Sequence, residues 1–113
     1  MNDFCTPNWV KHAVFYQIFP DRFANGAPSN DPANVQPWGT PPTPHNFMGG
    51  DLEGIRQNLS YLRELGITAI YLNPIFQSPS NHRYNTYDYF RIDPKLGTME
   101  DFVNLRNNLH AYG

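Results

Sequence analysis

Between Gly66 and Tyr89 the chain reads Gly-Ile-Thr-Ala-Ile-Tyr-Leu-Asn-Pro-Ile-Phe-Gln-Ser-Pro-Ser-Asn-His-Arg-Tyr-Asn-Thr-Tyr-Asp-Tyr, and no other stretch limits the fold as much. Ile67 to Leu72 is a short, nearly unbroken apolar run with β-branched and aromatic residues, the pattern of a strand buried on both faces. Asn73-Pro74 stops it, since proline lacks a ladder donor and disfavours helix in the residue before it. Turn residues and aromatics follow: Ser78-Pro79-Ser80-Asn81, then His82, Tyr84, Tyr87, Asp88 and Tyr89. A buried strand emptying into such a loop describes a ligand-facing loop in an α/β protein. It equally describes a surface loop whose tyrosines pack half-buried.

A second run of the same kind, Ala13 to Phe19, is closed by Pro20. From Asp21 to Gly50 the chain then holds about thirty residues of turn chemistry, including Asn25-Gly26, Pro28-Ser29-Asn30-Asp31-Pro32 and Pro41-Pro42, with no periodic segment. A loop of that length is usually functional or disordered, and Phe23, Trp38 and Phe47 argue that this one is packed. Asp51 suits a helix cap, Leu52, Ile55, Leu59 and Leu62 recur at helical steps, and Gly66 stands where a left-handed C-terminal cap belongs. After the turn at Asp93-Pro94, Thr98 and Asp101 imitate a capping box. Met99, Phe102, Leu105 and Leu109 form a second helical stripe, with Gly113 at its C-cap.

The order strand, loop, helix, strand, loop, helix implies parallel strands joined by right-handed crossovers, with both loops on one edge of the sheet. Two parallel strands leave apolar edges open and do not make a domain. The fold class expected is therefore α/β, as the first two βα units of a (βα)8 TIM barrel, which typically needs about 250 residues. Residues 1–12 are a lead-in and 13–113 the partial barrel. A charge of −2 over 113 residues suggests neither nucleic acid nor an anionic membrane as partner. No apolar run reaches membrane-spanning length, no signal-peptide plan precedes Trp9, and Cys5 is a lone thiol, which together point to the cytoplasm.

The residues also carry a resemblance. Val14-Phe-Tyr-Gln-Ile-Phe-Pro-Asp-Arg-Phe-Ala-Asn-Gly26, then Gly49-Gly50-Asp51-Leu52, Leu62 through Phe76, and Tyr84-Asn-Thr-Tyr-Asp-Tyr89 follow one another as in the alpha-amylase family of glycoside hydrolases. The nearest likeness is to bacterial alpha-amylases and to cyclomaltodextrinase- or neopullulanase-like enzymes. The resemblance implies action on α-glucans such as starch or maltodextrins, as oligosaccharide or polysaccharide. It also admits a transglycosylase or isomerising member, or a catalytically inactive amylase-like binding protein. The family's catalytic carboxylates belong to later strands, so no residue here is expected to be catalytic.

Two sites are implied by the resemblance. One is a structural calcium site supplied by Asn25, Asn30, Asp31, the Gly49 carbonyl and Asp51, with Ala27 standing where relatives carry Asp. Hard oxygen ligands of this mixture suit calcium, although Asp31 could instead form an Asx-turn and Asp51 simply cap its helix. The other is a substrate site. There Tyr84 would stack on the apolar face of a sugar, His82 could donate to a hydroxyl or be merely solvated, and Asp88 would support the site from behind. His12, His45 and His110 have no supporting context in the sequence.

Overall fold

The computed structural model describes residues 4–112, so the C-cap expected at Gly113 lies outside the described residues. Helix α1 (Asn8–Lys11) precedes strand β1 (Phe15–Ile18), and helix α2 (Pro20–Phe23) follows at once with Pro20 at its first turn. A 3-10 turn at Pro28–Asn30 interrupts the long loop. Helices α3 (Leu52–Gln57) and α4 (Leu59–Glu64) lead to strand β2 (Ala69–Leu72). A hairpin of β3 (Phe76–Gln77) and β4 (Asp88–Ile92) comes next, and helix α5 (Met99–Tyr112) completes the described chain.

Strands β1 and β2 are parallel, pairing Phe15 with Ala69 and Ile18 with Leu72, so two βα units stand in the expected order. The ladder extends past β1, where Asn73 N–H donates to the Ile18 carbonyl at 2.9 Å. Alternation along the pair sends Tyr16, Ile18, Ile70 and Leu72 toward a core made with Leu52, Ile55, Leu59, Leu62, Leu96 and Leu105. The other face is open. Phe15 is 53% and Tyr71 54% exposed, so among the described residues only the helix-facing side of the pair is covered, and burial on both faces requires further strands.

Other expectations shift in detail. The single helix expected from Asp51 to Gly66 is two, broken at Asn58, whose backbone (φ −110°, ψ 15°) leaves the helical basin. Asn58 Nδ2 bonds the Gly54 carbonyl at 2.7 Å, the local competition that makes asparagine a weak helix interior. Gly66 adopts φ +92°, the left-handed cap foreseen for it. Asp51 accepts from Gly54 N–H at 2.7 Å as cap of α3. The capping box forms reciprocally: Thr98 N–H donates to Asp101 Oδ2 at 2.8 Å, and Asp101 N–H to Thr98 Oγ1 at 3.2 Å. The short helices α1 and α2, the 3-10 turn and the hairpin are additions to the sequence reading. No helix among the described residues is long and apolar enough to cross a membrane.

Candidate functional site

Both long loops leave the same end of the parallel pair, after Ile18 and after Leu72, and buried aspartates hold each in place. Asp21, directly after β1, accepts from Met48 N–H at 3.1 Å, Gly49 N–H at 3.2 Å and Arg22 Nε at 2.8 Å. Asp51 accepts from Gly26 N–H at 3.0 Å, Ala27 N–H at 2.9 Å and Gly54 N–H. Asp93 accepts from Ser78 N–H at 3.4 Å, Lys95 N–H at 2.9 Å and Arg83 Nε at 3.0 Å. A carboxylate without such donors would be costly at this depth; with them it fastens distant loop segments together.

The second loop carries the residues expected to meet sugar. Arg83 has φ +64°, rare for a side-chain-bearing residue, and its guanidinium points inward, 1% exposed, onto the wholly buried Asp93. Its Nη1 also donates to the Asn81 carbonyl at 2.8 Å. On either side of this inward arm, His82 and Tyr84 stand with ring centroids 5.9 Å apart, and Tyr84 is 58% exposed. Tyr84 N–H donates to His82 Nδ1 at 3.1 Å, which makes Nδ1 the acceptor and leaves Nε2 to carry the ring proton. The structure thus brings His82 and Tyr84 together as a flat aromatic face beside a free N–H donor. Asp88 opens β4, and its one described bond is local, from Phe90 N–H at 2.9 Å; no described contact joins it to the pair.

The first loop carries the five positions expected to hold calcium, and it assembles three of them. Asn25 Nδ2 donates to Asp31 Oδ1 at 2.8 Å. A Cβ built on Gly49 would lie 2.6 Å from that Asp31 oxygen and 2.8 Å from the Asn25 amide nitrogen. Asn25 Oδ1 is buried without a partner, and the Gly49 carbonyl accepts none of the described bonds. These surplus acceptors beside Asp31 have the donor chemistry of a hard cation. The Asn30 side chain makes none of the described bonds and adjoins them in sequence. Asp51, the fifth position, accepts three backbone N–H groups through its two oxygens, and a carboxylate with about four acceptor sites keeps one for a cation. No cluster of three or more His, Cys, Asp or Glu side chains suited to a metal occurs among the described residues, as expected of a set built mainly from amide and carbonyl oxygens.

Comparison with known proteins bears on both loops. Residues 17–113 match the alpha amylase catalytic domain. The chain is 55% identical over 111 residues to a cyclomaltodextrinase of Geobacillus thermopakistaniensis (strain MAS1), and 52% identical over 112 residues to neopullulanase 2 of Thermoactinomyces vulgaris. Each alignment covers 97% of this chain and 19% of the relative, so the chain spans about a fifth of those curated proteins. Among solved structures, the ligand-free cyclic alpha-maltosyl-(1→6)-maltose hydrolase from Arthrobacter globiformis superposes with a TM-score of 0.95 at 55% identity, over 96% of this chain and 25% of that one. Its complex with maltose gives 0.93 at 56% identity, over 95% and 24%.

Proposed function

Since the chain belongs to the alpha-amylase catalytic-domain family, we propose that it forms the opening βα units of a (βα)8 barrel in a glycoside hydrolase cleaving α-glucosidic bonds. Starch, maltodextrins and related α-glucans are the substrates. The observation that carries this is the pair of exposed Tyr84 and half-buried His82 on the loop that follows β2, anchored from beneath by Arg83 and Asp93. Barrel enzymes of this architecture act at the C-terminal end of their strands. Tyr84 offers an apolar ring face to a pyranose and His82 Nε2–H a donor to a hydroxyl. The relatives' names, all of enzymes acting on maltose-based or pullulan-type glucans, support the same class.

Retaining hydrolysis requires two carboxylates about 5–5.5 Å apart. Asp21, Asp51 and Asp93 are occupied as loop anchors, so this segment's share of the reaction is to bind and orient the sugar. Calcium, when bound, would neutralise the surplus oxygens of the first loop, held by Asn25, Asp31 and Gly49, with Asn30 beside them. The test is Tyr84→Ala in the whole protein. Burying roughly 100 Å² of ring at about 25 cal/mol per Å² corresponds to about 2.5 kcal/mol, somewhat under a hundredfold in maltodextrin turnover, with the melt unchanged. Unaltered kinetics would return Tyr84 to a packing role.

A further inference from the structure

The sequence contains one Asn-Gly pair, Asn25-Gly26, in the first long loop. Such a pair carries a chemical hazard of its own. With no Cβ on the glycine, its amide nitrogen can reach Cγ of the asparagine side chain. A bond then forms between that nitrogen and Cγ, and the bond from Cγ to Nδ2 breaks. The side-chain nitrogen leaves as ammonia, taking the proton that the glycine amide gives up. Water opens the resulting cyclic imide at either carbonyl, giving aspartate or the isomer whose main chain is longer by a methylene.

The fold restrains the atoms that this reaction must move. Gly26 N–H, the attacking group, donates to Asp51 Oδ1 at 3.0 Å. Asn25 Nδ2, the leaving group, donates to Asp31 Oδ1 at 2.8 Å. Asn25 Oδ1, where negative charge would develop, is buried with no donor to meet it, the reverse of an oxyanion hole. Ala27 N–H is held by the same carboxylate, at 2.9 Å from Asp51 Oδ2. Asp51 is itself wholly buried, so water does not compete for these bonds. Gly26 is also pressed against α3, since a Cβ there would lie 2.6 Å from the Glu53 carbonyl carbon.

We infer that Asn25 is a site of spontaneous deamidation, and that Asp51 suppresses the reaction while the first loop stays seated on α3. Local opening of the loop frees the Gly26 amide to attack. Either product fits the native seat worse than asparagine does. Aspartate puts a carboxylate where an amide now donates to Asp31, and like charges at that distance repel. The isomer lengthens the main chain beside Gly26, where α3 leaves no room. Reaction at this pair therefore turns a reversible opening into an irreversible one.

The experiment follows conversion at Asn25 in the whole protein at mildly alkaline pH, by peptide mass spectrometry that separates aspartate from its isomer. Native protein should convert at least about tenfold more slowly than the same protein unfolded in urea. Asp51→Asn, whose amide offers one acceptor oxygen in place of two, should raise the native rate several-fold. Arg83→Met, which destabilises the protein from outside this loop, should raise it less when the two variants are compared equally far below their melting temperatures. If Asp51→Asn does not fold, hydrogen exchange of the wild-type Gly26 amide decides. It should be at least about tenfold slower than in the unfolded chain, and should quicken with conversion as urea is added. No conversion even in urea overturns the site. Native conversion as fast as unfolded, an unprotected Gly26 amide, or equal acceleration by Arg83→Met overturns the role of Asp51.

Discussion

The two loops leaving the sheet are fastened by the same device and differ in how they settle its charge. In the second loop the buried carboxylate of Asp93 meets a cation built into the chain, the guanidinium of Arg83. In the first, Arg22 meets Asp21 in the same way, but Asp31 and Asp51 pair with no Lys, Arg or His among the described residues, and what remains over around them is a set of acceptors, Asn25 Oδ1 and the Gly49 carbonyl. The surplus on the other side is a donor: Arg83 Nη2 is buried without a partner. The second loop therefore carries its counter-ion covalently, and the part of the first around Asn25, Asp31 and Gly49 is arranged so that a dissolved cation would improve it. Stability of the first should depend on the medium, and that of the second should not.

The strongest way to break this contrast is Arg83→Met in the whole protein. It leaves Asp93 buried without its main partner, a loss of about 3–5 kcal/mol for one-sided removal of a buried pair. Lys95 Nζ, 3.7 Å from Asp93 Oδ1 and partly exposed, recovers little of it. Thermal melts with and without calcium should fall by the same amount. A melt within about 1 kcal/mol of wild type would show that the pair does not anchor the loop.

A second measurement addresses the first loop. Calcium at a hundredfold excess over its dissociation constant should stabilise the whole protein by about 2.7 kcal/mol. Asp31→Ala should abolish most of that gain, while Arg83→Met should leave it intact. If chelation leaves the wild-type melt unmoved, the surplus oxygens are satisfied by water and the contrast between the loops collapses. Ala27→Asp sharpens the same point. Its backbone N–H already bonds Asp51, and a carboxylate added there should tighten calcium binding several-fold while lowering the calcium-free melt through repulsion from Asp31, a shift on the order of 1 kcal/mol. An unchanged calcium affinity would place residue 27 outside the site.

The smallest effect lies outside both loops and serves as a control. Glu53 on α3 is held below its ordinary pKa, first by its hydrogen bond from Arg56, against burial as the next largest effect, and then by the hydrogen bond from Gln57 and the Arg56 charge. A depressed carboxylate adds stability above its unfolded value and loses it as the pH falls through the folded one. Glu53→Gln should therefore cost a few tenths of a kcal/mol at neutral pH. The difference from wild type should vanish as the pH drops well below about 4.3, since both side chains are then uncharged. A difference that persists in acid would mean that the contact is steric.

How much of this was legible follows from what kind of signal each part leaves in a sequence. The parallel pair, the helical stripes, Gly66 and the Thr98–Asp101 cap announce themselves through periodicity and through residue types that only a few backbone shapes favour. His82 and Tyr84 stood out because a resemblance singled them out. Arg83 did not, because a charged residue in a polar loop reads as solvated, and only the fold reveals that it is turned inward. Asp93 read as the start of a proline turn, and its partners Ser78 and Arg83 lie fifteen and ten residues away. The hairpin was invisible because β3 is two residues long with an irregular register. Asn58 was hidden by the apolar stripe, which continues across the break.

The meeting of the first loop with α3 has a consequence for anyone transplanting segments between relatives. A Cβ on Gly26 would lie 2.4 Å from the Gly54 nitrogen, one on Gly54 1.9 Å from the Ala24 carbonyl oxygen, and one on Gly50 2.0 Å from the Pro20 oxygen. Here backbone rests on backbone with no side chain between, so these glycines work as a fitted joint with no tolerance for added atoms. Grafts should therefore keep residues 20–27 and 49–54 together as one cassette. Length can be added or removed between Gln36 and Pro42, where most residues are exposed and an insertion disturbs little.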